Sequence, residues 1–398
     1  MDKGGGRDMN FIYDIPTKVY FGKNLIAGNL GKEIKKVDNK VLLVYGKSSI
    51  KKIGLYDKVI EELKNSEIEI YELSGIDPNP RVTDVNKGAM ICRENNIKAI
   101  LAVGGGSSID CAKFIGAAYY YDKDAWDLLI HPEKVTDCLP IFSVLTLSAT
   151  GSEMDPSAVI SNMETMEKIG GTHQCMYPRV SFLDPQNTFS VDKYQTACGS
   201  ADMISHLIEQ YFSQYEDLEM LDYMIEGLFK TIIKYTKIAI DEPKNYEARA
   251  NLMWASSFAL NGFVEGAKVQ AWSCHPIEHQ LSAFYDITHG LGLAILTPRW
   301  MRFCLENPKN VGRFKRFAIN VFNIEDRGTD KEIALKGIEA LENFLYQTCK
   351  LSNNLTEIDI DDKYFETMAN RITGGGVFKG AYEDMDSEDI ISILRNCL

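Results

Sequence analysis

Four of the six histidines of this 398-residue chain fall between Asp202 and His289. That stretch reads GSADMISHLIEQ and, after a long helical pattern, WSCHPIEHQLSAFYDITHG. Asp202 and His206 stand i, i+4, as do His275 and His279, and on a helix that spacing puts each pair on one face. One carboxylate and several imidazoles converging on a point make a site for a divalent first-row metal. A metal with an open position does Lewis-acid chemistry. A lone Asp/His pair is ordinarily a solvated or capping pair. Two pairs and a further histidine, His289, favour the metal. The spacing is that of neither a zinc finger nor the HExxH protease motif, so naming a reaction requires a second motif.

The second motif lies upstream. Ile97 to Val103 is a largely apolar, strand-length run, followed by Gly104, Gly105, Gly106, Ser107, Ser108 and a helical pattern that includes Asp110. Strand, glycine turn and helix start form the geometry that presents backbone N–H groups to a phosphate. A glycine triplet can also be only a tight turn. Here a second strand, Ile141 to Leu145, leads into TLSATGSEMD at 146–155. Two such turns after parallel strands point to one dinucleotide held at the carboxyl edge of a sheet.

Elements that could position these residues divide by periodicity. Short β-branched runs at 18–21, 41–45, 67–73, 98–103, 140–145 and 180–184 alternate with helical stretches. This predicts a Rossmann-like parallel sheet with helices on both faces. Beyond about Thr188 long amphipathic patterns take over, such as 218–240 and 332–351, and predict an all-helical second half. The expected domains are 9–187, carrying the nucleotide turns, and 188–398, carrying the metal ligands, with the site in the cleft between them. Residues 1–8 read as an upstream extension, with Met9 a natural start.

Taken together, GGGSSID, TLSATGSE, GSADMISHLIEQ and CHPIEHQLSAFYDITHGLGLAI resemble the iron-containing (group III) alcohol dehydrogenase family, from about Phe11 to the C-terminus. The butanol dehydrogenase and broad-range aldehyde reductase subgroup is the nearest match. The resemblance implies a dehydroquinate synthase-like architecture and NAD(P)H-linked interconversion of short-chain primary alcohols, such as butanol, and aldehydes. It implies Asp202, His206, His275 and His289 as ligands of iron(II), with zinc the alternative. It leaves His279 as the catalytic proton relay, against a competing role as ligand. Glu209 either orients a ligand or is a plain surface charge. Cys274 reads as packing.

Cofactor contacts implied by the resemblance are Gly46, Ser48, Gly104, Gly105, Gly106, Ser107, Ser108, Asp110, Thr146, Thr150 and Lys168. Family members that prefer NAD commonly carry an aspartate where Gly46 stands, so NADP is expected over NAD. Ala149 replaces a glycine found in many members and agrees with the butanol dehydrogenase-like subgroup.

Composition narrows the partners. A net charge of −13 argues against nucleic acid and anionic membranes, and no apolar run is long enough to span a bilayer. Nine cysteines without a CxxC pair, in a chain that shows no signal-peptide core, fit free thiols in a reducing, cytoplasmic setting. A homodimer is the default assembly. Residues 271–296 hold no Lys or Arg but do hold Trp272, Phe284 and Tyr285, which favours a small, uncharged, partly apolar substrate. The alternatives are a dehydroquinate-synthase-like lyase, which needs several basic residues for a phosphorylated acid, and a non-catalytic NAD sensor.

Overall fold

The structure is a computed structural model that describes residues 11–213, 218–266, 272–380 and 382–398. The start expected at Met9 lies outside them. The described residues form eight strands: β1 (Lys18–Phe21), β2 (Lys40–Tyr45), β3 (Glu69–Ser74), β4 (Ile100–Gly104), β5 (Ile141–Leu145), β6 (Ser157–Asn162), β7 (Glu167–Thr172) and β8 (Val180–Leu183). Six of them make one parallel sheet in the order β1-β8-β5-β4-β2-β3. Side chains alternate across it. Leu42, Val44, Ile100 and Ala102 enter one buried cluster, and Val41, Leu43, Leu101 and Val103 enter the cluster on the other face. Burial on both faces explains why the central strands read as unbroken apolar runs.

Helices α1 (Leu55–Asn65), α2 (Val82–Glu94) and α3 (Gly106–Ala118) connect the sheet strands. The chain runs from β2 outward to β3, returns to β4 on the other side of β2, and continues outward to β5. The direction of winding therefore reverses between β2 and β4, and a crevice opens at such a reversal, outside the carboxyl ends of the strands. Tyr45 pairs with Val103 and Gly104 with Leu145. Gly46, Gly105 and Thr146 thus leave the sheet side by side.

Among the described residues from Lys193 on, the regular elements are helical, apart from one isolated bridge between Phe378 and Met385. The longer helices are α4 (Lys193–Tyr211), α5 (Glu219–Asp241), α6 (Tyr246–Leu260), α7 (Cys274–Tyr285), α8 (His289–Leu305), α9 (Val311–Phe322), α10 (Asp330–Glu342), α11 (Phe365–Thr373) and α12 (Ser387–Arg395). α4 is the axis of this half. Its start is fixed by Asp192, which accepts from Gln195 N at 2.7 Å, and it is buried from Thr196 to Tyr211.

Two elements differ from the sequence expectation. The antiparallel hairpin β6–β7 lies between β5 and β8, where no strand was expected. The helix expected over 332–351 ends at Glu342 and continues as a π-helical turn, Asn343–Thr348.

Candidate functional site

Burial of α4 forces its polar residues to find partners inside the protein. One turn before Asp202, Gly199 lies against the turn that follows β5: a Cβ on Gly199 would sit 2.5 Å from Ser148 O. At the start of α8, a Cβ on Gly290 would sit 2.1 Å from Cys198 O. Only glycine permits these two approaches, and they bring His289 and the sheet's second turn to the same side of α4.

Asp202 Oδ1 is 3.5 Å from His206 Nε2, 3.7 Å from His275 Nε2 and 3.6 Å from His289 Nε2. Ligand atoms on a tetrahedral ion with bonds of about 2.1 Å stand about 3.4 Å apart. Asp202, His275 and His289 offer atoms within 4.8 Å of one another. His206 joins them through Asp202 and by stacking on His275, with ring centroids 4.6 Å apart. Among the described residues, Asp202 Oδ1 and His275 Nε2 are buried without a hydrogen-bond partner. A buried carboxylate oxygen and an imidazole nitrogen left unpaired carry a desolvation cost that a metal ion would remove. The donor set, one carboxylate oxygen and three imidazoles, suits iron(II) or zinc.

Electrostatics agree with a cation-binding role. Burial works against the charge of Asp202, but His206 leads the surrounding imidazoles in outweighing it, and they hold the carboxyl well below the ordinary range. Burial lowers His206 to about 3, keeping it neutral and able to donate a lone pair. His275 is raised to about 9, because Glu209 outweighs the burial of its ring. An incoming metal must therefore displace a proton from His275.

A supporting shell surrounds the cluster. Glu209, on the same face of α4 as Asp202, takes backbone N–H groups from Ser273, from Cys274 at 2.8 Å and from His275 at 3.0 Å, and it also contacts His275 Nδ1. One side chain thus caps α7 and orients a candidate ligand, which settles the alternatives for Glu209 in favour of orientation. Glu278 does the same for His289 through Nδ1 and is held by Ser282. Lys168, from β7, reaches Glu278 Oε2 and His289 Nδ1, each at 3.4 Å. Lys168 is expected among the nucleotide contacts, and its hairpin carries the ammonium to the metal side of the cleft. His279 stands with Glu278 and His289 and is partly open to solvent. Burial, and then the Lys168 ammonium, push it well below the ordinary histidine range. The ring is therefore neutral.

The nucleotide turns are packed together. Thr146 N donates to Gly104 O at 3.0 Å. Cβ atoms would meet Leu147 at Gly105 and Thr150 Oγ1, at 2.5 Å, at Gly106. Gly46, Ser48, Gly105, Ser107, Thr146 and Thr150 reach solvent at the carboxyl edge, whereas Gly104, Gly106 and Ser108 are buried beneath it. Asp110 is hydrogen-bonded within the protein. Its carboxylate accepts from Ser152 Oγ at 2.6 Å and from Val159 N at 3.0 Å, tying α3 to the second turn and the hairpin.

Of the three aromatic residues expected near the substrate, only Trp272 lies on the histidines, edge-on to His206 and His275 with centroids at 5.7 and 4.9 Å. Phe284 and Tyr285 pack on Tyr364, just before α11. Cys274 is fully buried in the helical core, as packing requires. Sequence reasoning missed Glu278 altogether. Its i, i+4 spacing to Ser282 and its place between two histidines were the available signals.

Comparison with known proteins agrees with this geometry. Residues 16–185 match the family described as iron-containing alcohol dehydrogenase, and residues 196–398 match the C-terminal region of the Fe-containing alcohol dehydrogenase family. The chain is 50% identical over 390 residues to the NADH-dependent butanol dehydrogenase A of Clostridium acetobutylicum, covering 97% of this chain and 99% of that one. It is 34% identical over 371 residues to the NADPH-dependent aldehyde reductase YqhD of Escherichia coli, covering 92% and 94%. The crystal structure of NADH-dependent butanol dehydrogenase A from Thermotoga maritima superimposes with a TM-score of 0.92 at 40% identity, covering 98% of both chains.

Proposed function

The chain belongs to the iron-containing alcohol dehydrogenase family, and on that premise we propose that it interconverts short-chain primary alcohols and aldehydes with NAD(P)H. One observation carries the reading. Three imidazole nitrogens surround an unpartnered, buried Asp202 oxygen at 3.5–3.7 Å, on the helix that touches the second nucleotide turn.

Asp202, His206, His275 and His289 would hold the metal, and residues 9–187 and 188–398 form the nucleotide and metal domains. When bound, the metal supplies a Lewis acid for the substrate oxygen, and the nicotinamide gives or takes the hydride. The remaining work is done by the chain. Glu209 and Glu278 fix the planes and tautomers of His275 and His289. The neutral His279 takes the hydroxyl proton in alcohol oxidation and returns one in aldehyde reduction. Trp272 shields the histidines on one side and presents an apolar wall to a small substrate.

Gly105, Gly106, Ser107, Thr146 and Thr150 would line the pyrophosphate, and Gly46 and Ser48 the adenosine ribose. Lys47 and Lys51 flank that ribose position but are engaged: Lys47 pairs with Asp77 at 2.7 Å, and Lys51 lies over the Tyr56 ring at 4.6 Å. Neither lysine is thus dedicated to a 2′-phosphate, and no carboxylate at Gly46 repels one. Both nicotinamide cofactors are accepted on this reading, in line with relatives named for NADH and for NADPH. The lyase alternative is not favoured, since Lys168 is committed to Glu278 and a phosphorylated acid needs several cations. A homodimer and a cytoplasmic setting complete the proposal, the first by the prevalence of twofold assemblies and the second from nine free thiols.

The test is stoichiometric consumption of NADH or NADPH with butanal by metal-loaded protein. A lyase or a sensor shows none.

A further inference from the structure

The loop that follows β3 ties the two halves of the chain together. It leaves the sheet beside Gly46, where Gly75 N donates to Gly46 O and Ile76 N to Tyr45 O, each at 3.2 Å. It then runs through Asp77, Pro78, Asn79, Pro80 and Arg81. The two prolines fix their own φ and stiffen the arm. Its end is fastened to the hairpin: Ser161 N donates to Pro80 O at 2.8 Å, and Arg81 bridges to Ser161. Ser161 in turn stands in register with Lys168 on β7. Arg81 and Lys168 therefore flank one residue and hang from one backbone unit.

Both cations reach carboxylates of the α7–α8 region. Lys168 goes to Glu278, and Arg81 goes to Asp286, the residue just past the end of α7. Arg81 Nη2 donates to both Asp286 carboxylate oxygens, at 3.1 and 3.0 Å, and Asn79 Nδ2 donates to one of them at 3.0 Å. The Asp286 backbone is left-handed, with φ at 51°, a conformation that aspartate tolerates better than most residues. Its N–H donates to Ser282 O at 2.9 Å, and the Ser282 hydroxyl donates to Glu278. Only Ile287 and Thr288 separate Asp286 from His289 at the head of α8. The corner that carries a candidate metal ligand is thus gripped from the other half of the chain.

We propose that Arg81 is a positioning residue for the metal site: through Asp286 it fixes the corner between α7 and α8, and with it the place of His289. The inference rests on the metal reading above and extends it to a residue about 200 positions upstream of the ligand. The contact acts on position more than on stability. The Asp286 side chain is 53% exposed, and an ion pair so open to water adds little to folding. Its three hydrogen bonds nonetheless set where a short, three-residue connection can lie, and the next residue is His289.

The test compares full-length wild type with Arg81→Ala, Arg81→Lys, Asp286→Asn and the double variant Arg81→Ala/Asp286→Asn. Asparagine also suits the left-handed backbone, so Asp286→Asn removes the charge and leaves the turn. Zinc affinity is read by chelator competition, ligand geometry by the visible spectrum of cobalt(II)-loaded protein, and folding by the Tm of metal-free chains. Arg81→Ala and Asp286→Asn should each weaken zinc binding several-fold, short of the roughly 10–100-fold for a residue that touches a ligand directly. Both should shift the cobalt spectrum, with Tm little changed. The double variant should be no worse than the worse single one, because the two residues act through one contact. Arg81→Lys should recover much of the affinity, since one nitrogen makes both contacts with Asp286. Unchanged zinc affinity and cobalt spectrum in Arg81→Ala overturn the proposal, as do losses that add in the double variant. A fall in both Tm and zinc affinity that Arg81→Lys does not restore makes the role structural and also overturns it. A wild type that holds no zinc refutes the metal reading and this proposal together, whereas zinc-binding wild type with unaltered variants refutes the proposal alone.

Discussion

Replacing Glu209 with glutamine changes one atom and keeps the shape, yet it should disable the metal site. Both carboxylate oxygens are used twice. One takes the N–H groups of Ser273 and Cys274; the other takes His275 N–H and faces His275 Nδ1. An amide has one oxygen and one NH₂ group, so neither orientation satisfies all four. If the NH₂ group faces Ser273 and Cys274, two buried donors at the start of α7 are unpaired, at about 1–3 kcal/mol each. If it faces His275, the ring is driven to the tautomer with its proton on Nε2, the atom that points at Asp202 and should bind the metal. Either outcome weakens metal binding, and loss of such an orienting partner typically costs about 10–100-fold in affinity. The assay is metal content after dialysis against graded chelator, with nucleotide affinity measured in parallel. The account predicts a 10–100-fold shift in the chelator concentration that strips the metal and unchanged NAD(P)H binding. A variant that holds its metal as tightly as wild type would refute the assignment of Glu209 and weaken that of His275.

Other predictions follow from the same geometry. His279→Ala should keep its metal and lose roughly 10²-fold in kcat; a metal-free variant would make His279 a ligand. Gly46→Asp fits sterically, since a Cβ there is 3.5 Å from Ile76 O. It should lower NADPH-linked kcat/KM by about 10- to 100-fold through like-charge repulsion of about 1–3 kcal/mol, with NADH-linked activity little changed. Equal losses with both cofactors would contradict that. Glu153 is buried, which raises its carboxyl to about 7 despite the hydrogen bond from Ser257. A carboxyl raised in the folded state stabilises the protein below its unfolded pKa and loses that contribution as pH rises through the folded one. Here the window runs from the ordinary value of 4.5 to about 7, and the contribution is on the order of 3 kcal/mol. Glu153→Gln should therefore flatten the fall in Tm of metal-free protein across that window by about 3–4 °C; a fall matching wild type would show that another group titrates.

Most of the framework was legible because two physical signals were strong. The central strands β2, β4, β5 and β8 are buried on both faces and read as apolar runs, and all six sheet strands were expected near their observed positions. The hairpin was not, because Ser157–Asn162 and Glu167–Thr172 are mixed in polarity and stand outside the six-stranded sheet. Missing it left unread that Lys168 reaches Glu278 and His289 from a strand far away in sequence. Asp202, His206, His275 and His279 were readable from helical spacing, since α4 and α7 are regular there, whereas His289 opens α8. The shell behind them was only half readable. Glu209 shares a face with Asp202, but its partners are backbone groups 64–66 residues away, and no local pattern announces such a contact. The aromatic pair Phe284 and Tyr285 shows the converse: residue types that suit a ligand are spent on packing against Tyr364.

The central claim is that Asp202, His206, His275 and His289 hold the catalytic metal while the nucleotide binds elsewhere. The most direct measurement is metal stoichiometry, NAD(P)H affinity and butanal-dependent NAD(P)H oxidation in wild type, His275→Ala and His289→Ala, all prepared anaerobically and loaded with iron(II). The account predicts one metal per chain and turnover in the wild type. In both variants it predicts no retained metal and no turnover, with nucleotide affinity intact. One metal per chain retained in either variant would contradict it.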